Sequence, residues 1–576
     1  MDRLLSIAGV LASFLAQGYC TEGEVALNEN LYPKNPNQLE APEAPPYIAD
    51  EDKIVIPCTK GIVIIGEPSQ FHSGGVSGVE GIRFIDLKVP GNQEEFRSRL
   101  YFKYINKPLT FGDIRKLKQE IVTYYRSEHR PVMYVKIPEQ KISDGTLQVI
   151  AVESLVGSIS YSGNKHFKTE QLSRFVQLKE GGPIDDNRLA VDLDLMNRNP
   201  FRQTNVIFTP SDSALGVTDV EFVTNDRRPY RFYTGGENTG FEVTGYNRWF
   251  FGVNIGNLFR QDQVLDYQFT SGNSAHKFMA HTFRWVIPFP WRHNVELFGG
   301  YSRVHARILG TEIDTEGESE QISCRYEIPL PMRKSLVHEF SFGFDFKRTN
   351  NNIIPAGQPV IGSAANISQF IVGYNLGWET SWTRVSFTVE VFGSPGQLLP
   401  DESSEDYGSL RPGAKADYIY TRLAFVPIFH LPYGFSIVWK VRGQLASGSL
   451  LQSEQFGLGG FNSVRGYVDR TMSVDNAFLT NLELRSPSVS LSKLFLRKKR
   501  GDAFQLLGFV DWGFGRNYDT VSLTNNSNHL IGIGPGARYV IDPYLTARLD
   551  VGFQMHSLRF FDPFHYRAHF NFVLSY

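Results

Sequence analysis

The chain closes on Tyr566-Arg567-Ala568-His569-Phe570-Asn571-Phe572-Val573-Leu574-Ser575-Tyr576. Tyr566, Ala568, Phe570, Phe572, Leu574 and Tyr576 point one way and Arg567, His569, Asn571 and Ser575 the other, the period-two pattern of a strand with one apolar and one polar face. The alternation recurs upstream. Leu265, Tyr267 and Phe269 alternate with Asp266 and Gln268, while Phe435, Ile437, Trp439 and Val441 alternate with Ser436, Lys440, Arg442 and Gln444. After Pro229 helical periodicity disappears, and segments of about ten residues follow one another between turn residues, as in an outer-membrane barrel. A soluble sandwich also alternates. The membrane assignment therefore rests on three more observations: an N-terminal secretory signal, aromatics that recur near strand ends like interfacial girdles, and an aromatic terminus within the last strand. At about 22 residues per strand and turn, residues 229–576 hold roughly 16 strands.

Composition narrows the alternatives. With 576 residues, a net charge of −2, 20% charged and 13% aromatic residues, the chain is neither disordered nor a nucleic-acid binder by charge. Met1 to Cys20 carries Arg3, an apolar core from Leu4 to Ala16 and then Gly18-Tyr19-Cys20, which reads as a cleaved signal peptide over 1–20. The bulky Tyr19 argues against Cys20 as a lipid acceptor. No run of 18 apolar residues follows, so a helical membrane span is not expected. Cys58 and Cys324 form neither a disulfide framework nor a metal cluster, and His281, His305 and His569 lack metal-ligand spacing. Without G-x-S-x-G, a phosphate loop or paired catalytic carboxylates, the sequence predicts no enzyme and no cofactor.

Thr21 to Asp52 is acidic and broken by Pro33, Pro36, Pro42, Pro45 and Pro46, so it reads as an extended linker, with a helical turn or two at Glu24 to Leu31. Residues 54–80, including the run Gly61-Ile62-Val63-Ile64-Ile65, are assigned with it to an N-terminal extension over 21–80. A β-α-α-β-β module is expected over 81–153: a strand at Gly81 to Val89, helices at Glu94 to Ile105 and Thr110 to Arg126, and strands at Val132 to Ile137 and Thr146 to Val152. Thr110 and Asp113 make the capping pattern of its second helix. A second such module spans 154–226, with a strand at Leu155 to Tyr161, helices near Thr169 to Gln177 and Asp185 to Arg198, and strands at Thr204 to Phe208 and Val217 to Val223.

Counting strands backward from the end gives Tyr566 to Tyr576, Tyr544 to Phe553, Leu530 to Val540, Ala503 to Trp512 and Ala477 to Arg485. With the last strand ending at the periplasm, Lys493 to Arg500 falls in a periplasmic turn. Gln455-Phe-Gly-Leu-Gly-Gly-Phe-Asn-Ser-Val-Arg465-Gly-Tyr467 then joins strands 11 and 12 on the outer side. The register of strand 13 turns Gln505, Asp511 and Gly513 inward and Val510 and Trp512 outward. Glu483, Arg485, Arg548 and Asp550 also fall on inward faces, with no individual role assigned. Taken alone, Arg465 would be a solvated loop cation and Asp511 an ordinary lumen acid.

Two tandem α/β units before a 16-stranded barrel, with Val464-Arg465-Gly466-Tyr467 in the sixth outer loop, resemble the two-partner secretion transporters of the haemolysin-activator type, within the superfamily of POTRA-containing outer-membrane barrels. Ile137-Pro138-Glu139-Gln140-Lys141-Ile142-Ser143-Asp144-Gly145 is similar to the motif ending that family's first POTRA domain. Phe509-Val510-Asp511-Trp512-Gly513 matches its F-x-D-x-G motif, and Asn238-Thr239-Gly240 with Thr244 to Arg248 resembles its first barrel hairpin. The family usually carries an N-terminal plug helix; Thr21 to Asp52 offers at best a short one.

The resemblance implies that an inner loop at 447–475 folds back into the barrel and that Arg465 pairs with Asp511. Val464, Arg465, Gly466, Tyr467, Phe509, Asp511 and Gly513 would form this loop-barrel latch, and the modules at 81–226 would recognise substrate. It further implies a monomeric transporter in the outer membrane of a diderm bacterium, in contact with outer-membrane lipid, with its POTRA domains in the periplasm and a secreted, β-helical exoprotein as partner. A barrel-assembly factor of the same superfamily is the alternative function. A diffusion porin would not need the modules, and a secreted soluble enzyme would not need the barrel.

Overall fold

In the computed structural model, residues 51–576 are described, apart from 143, 212–215, 241–243, 308–312, 332–335, 356–360, 497–500, 519–526 and 557–564. The signal peptide over 1–20 and the linker or plug helix expected over Thr21 to Asp52 lie, but for the last two residues, outside them. The chain divides into a unit ending at Arg227 and a second beginning at Arg228.

The first unit opens with β1 (Ile54–Ile56), β2 (Gly61–Ile65), β3 (Gly81–Ile85), α1 (Gln93–Tyr104), β4 (Leu109–Thr110), α2 (Phe111–Ser127), β5 (Met133–Lys136) and β6 (Thr146–Glu153). Its main sheet runs β3-β2-β6-β5, with β2 parallel to both neighbours. This corrects the domain reading. Residues 54–65 belong to the folded module, and β2, not the strand at 81, is the parallel partner of β6. All five residues of β2 are buried, as expected for a parallel strand covered on both faces, whose sequence is a continuous apolar run. By contrast Arg83 and Ile85 of β3 are exposed, so β3 is an added edge strand. The β-α-α-β-β core is therefore β2-α1-α2-β5-β6. Phe96, Leu100 and Tyr104 of α1 and Leu117, Ile121 and Tyr125 of α2 pack on it. Thr110 and Asp113 form a reciprocal capping box that starts α2.

The second module has the plain order: β7 (Leu155–Ser162), α3 (Thr169–Ser173), α4 (Asp186–Asn197), β8 (Arg202–Pro210) and β9 (Val217–Asp226), with sheet order β7-β9-β8. α3 stops short of the expected Gln177. The fully buried Asp192 accepts the Gln177 N–H at 2.8 Å, which turns the chain so that Phe175 and Leu178 enter the core.

The second unit is a closed antiparallel barrel of 16 strands. In chain order these are β10 (Tyr230–Glu237), β11 (Arg248–Leu258), β12 (Gln263–Ser271), β13 (Phe278–Pro288), β14 (Asn294–Arg307), β15 (Ile313–Pro329), β16 (Leu336–Pro355), β17 (Ile361–Glu379) and β18 (Thr383–Ser394). The short helix α5 (Ser404–Leu410) precedes β19 (Tyr418–His430) and β20 (Ser436–Ala446). Two strands outside the wall, β21 (Phe456–Leu458) and β22 (Met472–Val474), pair with each other within the loop 447–475. The wall resumes with β23 (Asn476–Arg485), then α6 (Leu491–Leu496), β24 (Asp502–Arg516), β25 (Ser527–Ile541), β26 (Leu545–Gln554) and β27 (Tyr566–Ser575). β10 closes on β27 through Tyr233–Glu237 against Asn571–Ser575, and beyond that ladder the Asn238 side chain continues the pairing to Ala568 and Phe570. The turn expected from Lys493 begins within α6, and residues 497–500 lie outside the description.

The first module supplies a direct check. Ile64→Ala removes a fully buried side chain from the centre of its sheet and is expected to cost about 2–5 kcal/mol. Urea titration with limited proteolysis of the periplasmic region should show the loss as a lower midpoint. An unchanged midpoint would place residues 61–65 outside the core.

Candidate functional site: a loop clamped to the inner wall

The alternation of β24 sets the wall side of the site. Phe509, Asp511 and Gly513 are buried on one face, and Val510, Trp512 and Phe514 are exposed on the other. Gln505 is half-buried. On β23, Asn481 lies directly across from Asp511 and Glu483 across from Phe509. On β26, Asp550 faces His569 of β27 across the ladder. A patch of carboxylates and hydrogen-bonding groups thus forms on the inner faces of β23, β24, β26 and β27, within one run of five strands.

The loop 447–475 brings its cation to that patch. Arg465, 2% exposed, donates Nε–H to Asp511 Oδ2 at 2.7 Å and Nη2–H to Asp511 Oδ1 at 2.8 Å. Its Nη1 donates to Glu483 Oε1 at 2.6 Å and, more weakly, to Asp550 Oδ2 at 3.4 Å, while its backbone N–H adds a further bond to Asp511 Oδ2 at 3.0 Å. The guanidinium carbon sits 3.5 Å from the centre of the Phe509 ring. A fork held bidentately by one carboxylate and stacked on an aromatic face uses geometry that only arginine offers. Further guanidiniums compensate the acids: Arg485 pairs with Glu483 at 2.8 Å, and Arg538 and Arg548 pair with Asp550 at 2.6 and 2.9 Å.

The neighbours of Arg465 complete the clamp. Gly466 has φ +99°, a conformation that a side chain strains. Its N–H donates to His569 Nε2 at 3.1 Å, which places the imidazole proton on Nδ1, and its carbonyl accepts from Gln554 Nε2 at 2.8 Å. The Tyr467 hydroxyl accepts the Ile531 N–H at 3.3 Å and reaches the carbonyls of Ile531 and His556. Val464 and Tyr467 join Leu458, Val474, Leu479 and Leu530 in a buried apolar cluster between loop and wall.

The wall makes room through glycine. A Cβ on Gly552 would fall 2.3 Å from the Gly466 nitrogen, one on Gly532 would fall 2.0 Å from the Arg465 carbonyl oxygen, and one on Gly513 would fall 2.9 Å from Val464.

The structure thus brings together all seven residues singled out in the sequence, Val464, Arg465, Gly466, Tyr467, Phe509, Asp511 and Gly513. It adds Glu483, Asp550, His569, Asn481 and Gln554. Strand alternation alone places Glu483, Arg485, Arg548 and Asp550 on inward faces, and the sequence gives His569 no metal-ligand spacing. The remaining signal, which strands carry their acids at the same depth, lies in interstrand register and is not visible one strand at a time.

The family model for "Haemolysin secretion/activation protein ShlB/FhaC/HecB" matches residues 216–539, and that for "POTRA: Surface antigen variable number repeat" matches residues 154–225. The chain is similar to the "Heme/hemopexin transporter protein HuxB" of Haemophilus influenzae strain 86-028NP, 23% identical over 466 residues that make up 76% of each chain. It is also similar to the "Outer membrane transporter CdiB" of Dickeya dadantii strain 3937, 23% identical over 68% of this chain and 69% of the relative. Among solved structures, CdiB from Escherichia coli superposes with a TM-score of 0.72 at 15% identity, over 96% of this chain and 97% of the other, a likeness of fold.

Two substitutions separate charge from space. Arg465→Ala leaves Asp511, Glu483 and Asp550 without their shared cation, a loss of about 3–5 kcal/mol for a buried pair. Gly552→Ala changes no charge but intrudes on the loop backbone. Both are expected to leave a folded, heat-modifiable barrel whose residues 455–467 become open to added protease. Continued protection in both variants would show that neither the ion pairs nor the close approach holds the loop.

Proposed function

The chain belongs to the family of haemolysin secretion/activation proteins, and we propose that it recognises a secreted exoprotein through its two POTRA modules and passes it unfolded through the barrel without nucleotide hydrolysis. It is an outer-membrane protein transporter with a periplasmic POTRA region. The observation that carries the mechanistic reading is the loop 447–475, which is bound along the inner wall by Arg465. A loop lying in the path of export must be held in a defined place or moved aside, and a buried ion-pair network does the first while permitting the second in a single step. Val464, Arg465, Gly466, Tyr467, Phe509, Asp511 and Gly513 are assigned this latch role.

Recognition is assigned to residues 54–226 rather than 81–226, because β2 is the parallel partner of β6 within the first module. Each module leaves sheet edges to which an extended chain can add as a strand: β3 and β5 in the first, and β8 in the second, where residues 181–183 already pair with the start of β7. Exposed apolar residues lie on these strands, among them Ile85, Tyr134 and Ile207. Such edges suit an exoprotein that is extended in the periplasm and later folds as a β-helix, whose folding on the far side supplies directionality. The barrel is complete in one chain, which supports a monomer, and its polar groups serve ion pairing rather than catalysis.

Export of the partner into the medium tests the reading. Ile207→Lys on the edge strand β8 should reduce export several-fold while barrel insertion is unchanged, and deletion of residues 54–226 should abolish export and leave a conducting pore. Export at the parental level after that deletion would remove the modules from recognition.

A further inference from the structure

The loop 447–475 is held at its stem as well as at Arg465, and there it is held by another loop. Residues 395–417 join β18 to β19 and emerge at the same end of the barrel as 447–475. Their helix α5 begins at a capping box in which Ser403 and Asp406 satisfy each other's backbone N–H groups, at 2.9 and 3.1 Å. β18 pairs with β17 only from Phe370 to Glu379, and loop 395–417 takes over part of the exposed edge beyond. Glu402, 1% exposed, accepts the N–H of Ser368 at 2.5 Å and those of Leu398 and Leu399 at 3.1 and 3.0 Å. The Tyr407 hydroxyl donates to the carbonyl of Asn366 at 2.8 Å, and the Asn366 N–H donates to the carbonyl of Asp401 at 3.0 Å. The loop is thereby fixed to the wall.

From this fixed position Arg411 reaches into the stem of loop 447–475. Its Nη1 and Nη2 donate to Asp475 Oδ1 and Oδ2 at 2.6 and 2.8 Å, and Nη1 also meets the Leu450 carbonyl. Asp475 is fully buried and also accepts the Leu450 N–H at 3.0 Å, Gln455 Nε2 at 3.1 Å and the Tyr518 N–H at 3.1 Å. One carboxylate therefore ties the two ends of the loop together, and Arg411 ties both to 395–417. On the other side of the stem, the buried Glu454 accepts from Lys347 Nζ at 2.9 and 3.0 Å, Tyr420 Oη at 2.6 Å and Gln369 Nε2 at 3.3 Å. Lys347 belongs to β16, seventh in the ring of 16, and Asp550, at the Arg465 end, belongs to β26, fifteenth. The loop is bound to opposite walls and crosses the barrel.

We propose that Arg411 is a positioning residue for transport: its pairing with Asp475 is an outer bolt that keeps the stem of loop 447–475 across the exit, so that clearing the exit for an exported chain requires this pair to break as well as any movement at Arg465. The proposal rests on the reading of the barrel as the export path, but its test needs no exported partner. The full-length protein is placed in planar lipid bilayers and the time spent in the open state is recorded. With the fork gone, the buried Asp475 is left without its cation, and Arg411→Ala should raise the open fraction at least about tenfold. Arg411→Asp, which sets one carboxylate against another, should behave the same way. A parental open fraction in Arg411→Ala or in Arg411→Asp overturns the bolt. Should Arg411→Ala fail to form a heat-modifiable barrel, Arg411→Gln carries the test. It keeps a hydrogen-bond donor and loses the charge, so more frequent opening supports the proposal and parental behaviour overturns it. A parent that exports no partner at all would fault the assigned function and leave the bolt measurement standing.

Discussion

The guanidinium of Arg465 is buried inside the barrel, and that constraint organises the wall around it. A buried cation is tolerated only where carboxylates and hydrogen bonds replace water, and here three acids from three strands converge on it: Glu483 from β23, Asp511 from β24 and Asp550 from β26. Those acids would repel one another were the loop absent. Arg485, Arg538 and Arg548 moderate this repulsion from the wall side. The loop and the barrel interior are thus electrostatically incomplete without each other. Packing reinforces the fit, because Phe509 offers its ring face to the guanidinium and glycines at 513, 532 and 552 leave room that any side chain would fill.

The barrel was legible in the sequence because period-two alternation assigns a face to each residue without knowledge of its neighbours. In this way β27 and β24 could be oriented, and strand parity could place the loop between the eleventh and twelfth strands. Alternation carries no information on which residues of two strands stand side by side. Glu483 and Asp550 were therefore known to face inward, while their convergence on Arg465 depends on ladder registers such as Asn481 opposite Asp511 and Asp550 opposite His569. The start of the first module is not legible in the sequence for a related reason. Gly61 to Ile65 has no alternation, since both faces are covered, and a short apolar run without a period names no face and no partner. The strand at 81 alternates more clearly because it is the exposed edge.

The network also separates two tasks within one loop. At its tip, Arg465 makes contacts with β23, β24 and β26 that are ionic, aromatic and nearly free of water. At its stem, Glu454 and Asp475 use carboxylates of the loop itself, with the cations Lys347 and Arg411 supplied by the wall and by a neighbouring loop. The polarity of the ion pairs is reversed between the two ends. A loop that carried cations at both ends could slide toward either acidic wall; one with a cation at the tip and acids at the stem has a single low-energy placement.

This arrangement bears on how such a loop can yield to a passing chain. Interactions that share one carboxylate are lost together rather than one by one, because removing the cation exposes the acid's remaining partners to water at the same time. Asp475 gathers donors from Leu450, Gln455, Tyr518 and Arg411, and Asp511 gathers donors from Arg465 and Asn481. In the mechanism proposed here, the binding energy of the substrate opens the path. A path held by two compact clusters can be opened by a local disturbance at each, leaving the 16-stranded ladder of the wall intact.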